Sequence, residues 1–418
     1  MFIKPFITLL LLSGANLLAT AKAEETHIVD HIDIITVDPQ LNLADLINQT
    51  LEKYPDYALI AAMQQESDAL TQRGSRWIAG APTASIYYKD DFVGSDTGAY
   101  ELEGAVEVPI WNWGQRDAGL RLAEQAGLSA INKGKAINLQ VAGLVRHAVW
   151  ALSLENLRYT MAKKRLYLTE KLVNTIQLRV DVGDLPKSDY LLAESELLQK
   201  KIELLHTEAE LMHARKRFYF LTQDTRIPAQ INEQQSPRQT IDDSHPALEA
   251  INAFVEKKKA QVEWVKAKGS GQTTLAVGGN MDKPSNSEQS VDSIIFSVSV
   301  PFGGQGYAAA EIAAAQTEYV EAETEKLHLY RLLLEQLHEA EHELEIEKVQ
   351  LKISTQMKKN AEEHLKMANS SFKAGEINLM DFLKIQARSQ NAFKHAAESA
   401  IRLQRDIALY NQAVGVTP

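Results

Sequence analysis

RVDVGDLPKSD at Arg179–Asp189 and SFKAGEINLMD at Ser371–Asp381 are one turn written twice, 192 residues apart, with Gly183 falling on Gly375 and Asp189 on Asp381. Working outward, Val106-Glu107-Val108-Pro109 falls on Val298-Ser299-Val300-Pro301 under the same shift, and Gly114 falls on Gly306. Pro109 to Gly183 and Pro301 to Gly375 are therefore both 74 residues, with no gap. One inserted residue turns a helix's buried face by about 100°, so a gapless match over this distance predicts two long helices held to one length. A repeat of this size has to be read before any local motif.

The residues around the turns agree. From Asn112 to Val182 and from Gln305 to Ala374 there is no proline, and some 70 helical residues would reach roughly 100 Å. Val141, Leu144, Val145, Ala148 and Leu152 trace an apolar stripe on the first rod. On the second, Leu337, Leu344 and Leu351 recur at sevens with Leu333 and Ala340 between, the spacing of a coiled coil. Gly183 and Gly375 suit a helix end that needs positive φ. Pro186 opens one return helix, while Asn378 caps the other with Asp381 in its first turn.

Upstream of each rod the period changes from helical to two. Tyr100, Leu102, Gly104, Val106 and Val108 alternate with Glu101, Glu103, Ala105 and Glu107; Ile294, Phe296, Val298 and Val300 alternate with Ser293, Ile295, Ser297 and Ser299. These are strands with one apolar and one polar face. Thr83–Lys89 and Thr273–Gly279 are their hairpin partners, across loops rich in Asp, Ser, Gly and Asn. Strands of about 9–11 residues can cross a bilayer when tilted, and a water-filled lumen would tolerate the inward glutamates.

The fold class is therefore mainly α with a small β part. The expected organisation is a signal peptide at 1–23 and a first repeat at 24–223, with strands 83–89 and 100–109, long helix 112–182 and return helix 187–221. A linker at 224–243 precedes a second repeat at 244–418, with strands 273–279 and 291–301, long helix 305–374 and return helix 379–414. Lys4, the apolar run Phe6–Leu12 and Ala21-Lys22-Ala23 have the order of a secretory signal. No later stretch has the ~18–20 unbroken apolar residues of a membrane-spanning helix, which leaves a periplasmic, secreted or β-barrel protein. The absence of cysteine removes thiol catalysis and thiolate metal sites, and the net charge of −11 argues against a nucleic-acid partner.

Helix, hairpin, long helix, glycine turn and return helix, all duplicated, resemble the TolC family of outer-membrane efflux proteins across essentially the whole mature chain. VPIWNWGQRDAGLRLAEQ (Val108–Gln125) and VPFGGQGYAAAEIAAAQ (Val300–Gln316) are similar to the family's strand-to-helix junctions, and the two turns quoted first to its helix tips. The Gly- and Ala-rich second junction looks closest to the CzcC-like metal-efflux branch. The resemblance implies a homotrimer in the outer membrane of a Gram-negative bacterium, in contact with outer-membrane lipid. Each protomer would give four strands to a twelve-stranded transmembrane β-barrel that continues into a periplasmic α-helical barrel. It further implies the exit duct of a tripartite efflux system, passively conducting substrates that include heavy-metal cations. That duct would have a periplasmic adaptor (membrane fusion protein) and an inner-membrane transporter of RND type as partners, no cofactor and no enzymatic activity. Two other readings are an outer-membrane component of a multidrug or type I secretion system, and a periplasmic adaptor with a helical hairpin.

Candidate site residues follow from this plan. Gly183, Leu185, Gly375 and Ile377 shape the tips where an adaptor would dock. Asp181, Asp184, Asp189, Glu376 and Asp381 would form acidic rings at the periplasmic gate, with helix capping as the competing role for Asp189 and Asp381. Glu101, Glu103 and Glu107 would line the barrel lumen, giving it a negative field or merely solvating a wet wall. Trp111 and Trp113 stand at the barrel–rod junction, either at a membrane interface or packed between helix and strand. His338-Glu339-Ala340-Glu341-His342 spells the HExxH pattern of zinc hydrolases. It lies in an acidic rod surface with no third ligand in view, so a solvated helix face is the expectation.

Overall fold

The computed structural model describes residues 34–418; the expected signal peptide, at 1–23, lies outside them. The first half runs β1 (Thr36–Asp38), α1 (Leu43–Lys53), α2 (Tyr57–Ser75), β2 (Thr83–Asp90), β3 (Tyr100–Ile110), α3 (Gln115–Asp181) and α4 (Lys187–Thr222). After β4 (Arg226–Pro228), the second half runs α5 (Pro246–Lys268), β5 (Thr273–Lys283), β6 (Val291–Ser299), α6 (Ala309–Lys373) and α7 (Leu379–Ala413). The molecule is mostly helical with a small sheet. The two rods have 67 and 65 residues, about 100 Å each at 1.5 Å per residue.

Both rods start later than the junction sequences suggest. Gly114 has φ 72°, a left-handed backbone that a helix cannot include, so α3 begins at Gln115. Before α6 a short 3-10 turn at Gly304–Gly306 and the cap residue Ala308 take up the first positions. Asn112 instead ties the first junction to the second half. Its side-chain amide donates to the Gly271 carbonyl at 2.8 Å, and its carbonyl oxygen accepts from the Thr273 hydroxyl at 2.9 Å.

α3 lies at the centre of the helical layer, packed against α2 and α5 along one stretch and α4 and α7 along another, whereas α6 packs on α5 and α7. Hydrophobic clusters hold the layer at three levels. One joins α1 to α3, α4 and β4 through Leu46, Ile47, Val141, Val145 and Phe218. A second gathers Leu248, Leu333, Leu337, Leu344 and Tyr410 from α5, α6 and α7. The third, at the tips, brings both halves together through Ile176, Ala193, Phe372, Leu379 and Phe382. Of the heptad leucines, Leu337 and Leu344 are thus core, as is Leu333, while Leu351 is only half-buried. Leu144, placed by periodicity on the same stripe as Val141 and Val145, is instead exposed.

The segment joining the halves is packed onto the rods. β4 pairs in parallel with β1, Val37 opposite Ile227. Beyond it Glu233 takes a two-point ion pair from Arg146 of α3, Nε at 2.8 Å and a terminal nitrogen at 2.6 Å. The Arg146 guanidinium also donates to Gln412 at 2.6 Å and to the Val416 carbonyl at 2.9 Å. Arg146 is 0% exposed, and all its donors but one are thereby matched to the linker and the C-terminal segment.

Candidate functional site

The sheet is the first functional surface. Its strand order is β2-β3-β5-β6, so β3 of one half pairs with β5 of the other. The register puts Glu101 opposite Lys89 and Asp282, Glu103 opposite Tyr87 and Asn280, and Glu107 opposite Thr83 and Ala276. Ser293 and Ser297 continue that polar face on β6. Glu101 accepts a hydrogen bond from the Asn280 amide at 3.1 Å. β5 extends to Lys283, beyond the expected end of the strand, because Asn280 and Asp282 fall on the polar face while Met281 falls on the other.

That other face carries Ile86, Leu102, Val106, Val277, Ile294, Phe296 and Val298, all exposed; Phe296 is 77% accessible. Among the described residues no element covers it. β2 and β6 each keep one unpaired edge. An apolar sheet face with two open edges is unstable in water and equally so in lipid until the edges are paired.

At the junction the two tryptophans part company. Trp111 donates its indole N–H to the Arg76 carbonyl at 2.9 Å and meets Trp264 edge-on at 6.4 Å. Trp113 is fully exposed, as are Trp77, Phe302 and Tyr307 nearby in the sequence of the junctions. Trp111 is thus a packing residue, and Trp113 has the exposure an interfacial ring requires.

The tips are the second surface. Gly183 and Gly375 have φ 80° and 76°, the left-handed helix ends expected of them. Asn378 accepts from the Asp381 backbone N–H at 2.8 Å, and its amide donates back to the Asp381 carboxylate at 3.0 Å. Asp381 is therefore engaged in capping, and Lys384 stands 3.5 Å away. Asp184 is held by Arg179 at 2.5 Å, and Asp181 accepts from Gln177 at 2.7 Å. Glu376 is exposed, and Asp189 lies in the first turn of α4. The Arg179 guanidinium also sits 5.4 Å from the Phe372 ring, which joins one tip to the other. Leu185 and Ile377 are half-buried against the tip cluster. Of the apolar side chains exposed there, Val182, 80% accessible, and Met380 lie nearest the turns. Val182 immediately precedes the left-handed glycine, and that position in the repeat is the signal that would have found it.

His338 and His342 stack on the exposed face of α6, ring centroids 6.3 Å apart. Among the described residues no group of three or more His, Cys, Asp or Glu side chains is placed to hold a metal ion. Among them, too, no helix is long and apolar enough to cross a membrane.

With this geometry in view, the chain shows four likenesses, one to a family model and three to solved structures. Residues 238–411 match the family model described as outer membrane efflux protein, a family of channels and not of enzymes. The fold is similar to that of the outer membrane protein VceC from Vibrio cholerae, at 15% identity over 90% of this chain and 97% of that one, with a TM-score of 0.69. It is similar also to the Campylobacter jejuni CmeC outer membrane channel (13% identity, 97% and 93% covered, TM-score 0.71). The Neisseria gonorrhoeae MtrE outer membrane channel in its open state gives 14% identity, 92% and 91% coverage and a TM-score of 0.69. No curated protein sequence matches the chain. The fold is thus that of outer-membrane efflux channels, and the second half of the chain carries that family's sequence pattern.

Proposed function

We propose that this chain is the outer-membrane exit duct of a tripartite efflux system and works as a homotrimer. The observation that carries the reading is the uncovered apolar face of a four-stranded sheet standing on rods of 67 and 65 residues. Three copies would pair β2 of one protomer with β6 of the next, closing twelve strands with the apolar faces toward outer-membrane lipid. Glu101, Glu103 and Glu107 would then face a wet lumen. The rods of the three copies would enclose the periplasmic barrel.

Conduction through such a duct is passive, with energy supplied by an inner-membrane transporter of RND type. The tips dock on a periplasmic adaptor: Gly183 and Gly375 set the turn, Leu185 and Ile377 support it from beneath, and Val182 and Met380 offer the apolar contact. Among the described residues Asp181 and Glu376 have no cation partner comparable to that of Asp184, and they are the acidic ring residues to test first at the gate. The likeness of Val300–Gln316 to the metal-efflux branch, together with the acidic lumen, makes heavy-metal cations the first cargo to test. The test is a deletion strain complemented by the chain. Restored resistance to a metal or dye panel, abolished by Val182→Asp with outer-membrane trimer intact, supports the duct and its docking tip. Full resistance in the Val182→Asp strain contradicts the docking assignment.

A further inference from the structure

Where α2, α3, α5, α6 and α7 meet, the helical layer opens into a groove of about 1290 Å³. Its walls are apolar: Leu59 and Met63 from α2, Leu144 from α3, Phe254 from α5, Leu329 and Leu332 from α6. Leu59, Leu144 and Leu332 are exposed there, although packing elsewhere in the layer buries side chains of the same kind. Four carboxylates, Glu325, Glu339, Glu343 and Asp406, line it against one ammonium, Lys133. Asp406 is only 2% exposed. One of its oxygens accepts from Arg405 at 2.8 Å, and the other, Oδ2, is buried with no hydrogen-bond partner. A buried acceptor left unmatched costs free energy that a donor would recover.

We propose that this groove is a binding site for a single amphipathic organic cation carrying an N–H donor. The volume suits one drug-sized molecule and some water. The apolar walls suit aromatic or aliphatic bulk, the excess of carboxylates suits positive charge, and Asp406 Oδ2 lacks the very donor such a molecule carries. A bare metal ion fits less well, since among the described residues no three ligating side chains converge. Burial pushes the Asp406 carboxyl up, an effect that Arg405 opposes and Glu343 reinforces; a bound cation would favour its charged form. Burial, and then Arg405, also lowers the His147 imidazole, so His147 adds little positive charge to the groove at neutral pH. The site would hold an organic cation in the helical wall of the proposed duct, and to that extent rests on that reading.

The test uses the full exported chain in detergent, with rhodamine 6G as the cationic probe and fluorescein as an anionic dye of similar ring system. Fluorescence anisotropy is read against protein-free micelles. The expected result is saturable binding of rhodamine 6G and none of fluorescein. Glu339 and Glu343 are exposed on α6, so Glu339→Gln with Glu343→Gln leaves the fold intact and weakens binding about fivefold. Asp406→Asn weakens it about tenfold, at an unchanged melting temperature. Equal binding of both dyes, no binding of rhodamine 6G, or binding indifferent to all three substitutions overturns the proposal. So does a change in oligomer mass on these substitutions without any dye binding, which would mean that a second copy covers the groove. Conductance in planar bilayers is measured separately: a conducting chain that binds no dye loses the groove and keeps the duct, and a non-conducting binder does the reverse.

Discussion

α3 and α6 are copies of one rod, yet one is interior and the other is an edge. α3 buries 23 of its 67 residues, α6 only nine of its 65. On α6 the residues Leu327, Leu334, Ile346, Val349, Ile353 and Met357 are exposed. The difference lies in neighbours: α3 packs against α1, α2, α4, α5 and α7, and α6 chiefly against α5 and α7. A leucine covered on association contributes about 1.5–3 kcal/mol, so an edge of this length is a strong reason to associate. The divergence is also visible at single positions. Under the 192-residue shift Arg146 becomes His338; the first is a wholly buried clamp and the second an exposed ring. The apparent zinc-hydrolase pattern thus begins at the repeat counterpart of a buried clamp, on an exposed face of α6.

The sharpest way to break this contrast is to place charge at matched depths. Val141→Glu with Val145→Glu should prevent the protomer from folding, since two carboxylates would enter the first core cluster. Val349→Glu with Ile353→Glu should leave helix content by circular dichroism unchanged while abolishing the trimer in native mass measurements. If the α6 pair unfolds the chain as badly as the α3 pair, α6 is no edge.

The clamp comes next. Arg146→Ala leaves the nearly buried Glu233 carboxylate without its cation, with only the Asn411 amide still donating to it at 3.2 Å, a loss of about 3–5 kcal/mol that a denaturation midpoint will show. His338→Ala should change that midpoint by no more than about 0.5 kcal/mol and leave export intact.

At the tips the effects are smaller. Asn378→Ala removes a side-chain cap and should cost about 1 kcal/mol. Asp184→Ala removes an ion pair whose carboxylate is half in solvent and should cost between 0 and about 1 kcal/mol. Hydrogen exchange at the two turns would separate them.

The smallest effect is at the β2–β3 loop. The Asp91 carboxylate accepts from the Thr97 hydroxyl and N–H, both at 2.7 Å, and from the Ser95 hydroxyl at 2.8 Å. These bonds lower its pKa from the ordinary 3.8 to about 2. A depressed carboxylate stabilises the loop fully above its ordinary pKa and loses that contribution as pH falls through the folded value. Protease nicking at Phe92–Gly98 should therefore stay slow down to about pH 4 and quicken as pH falls from 3.8 toward about 2 in the wild type. Asp91→Asn should be nicked at the same rate throughout.

What could be read from the chain was local or repeated. The glycine turns, the Asn378 cap, the period-two strands and the heptad leucines each depend on residues within a few positions, and the duplication states them twice. What could not be read was contact over distance. The partners of Arg146 lie 87, 266 and 270 residues away, so nothing beside it marks that arginine as buried. β1 and β4 pair over three residues each, too few to leave a pattern. Trp111 and Trp113 are equivalent by composition and are separated only by whether Trp264 is within reach. Leu185 and Ile377 were the obvious apolar residues of the tips, but the two turns pack on each other and draw both inward, leaving Val182 outside.

The association that α6 and the open sheet demand can be weighed directly. Native mass spectrometry of the exported chain, released from detergent, should give one species of three chains, and Val349→Glu with Ile353→Glu should convert it to single chains. A wild-type chain that is monomeric, with the apolar sheet face still uncovered, would contradict the account at its root.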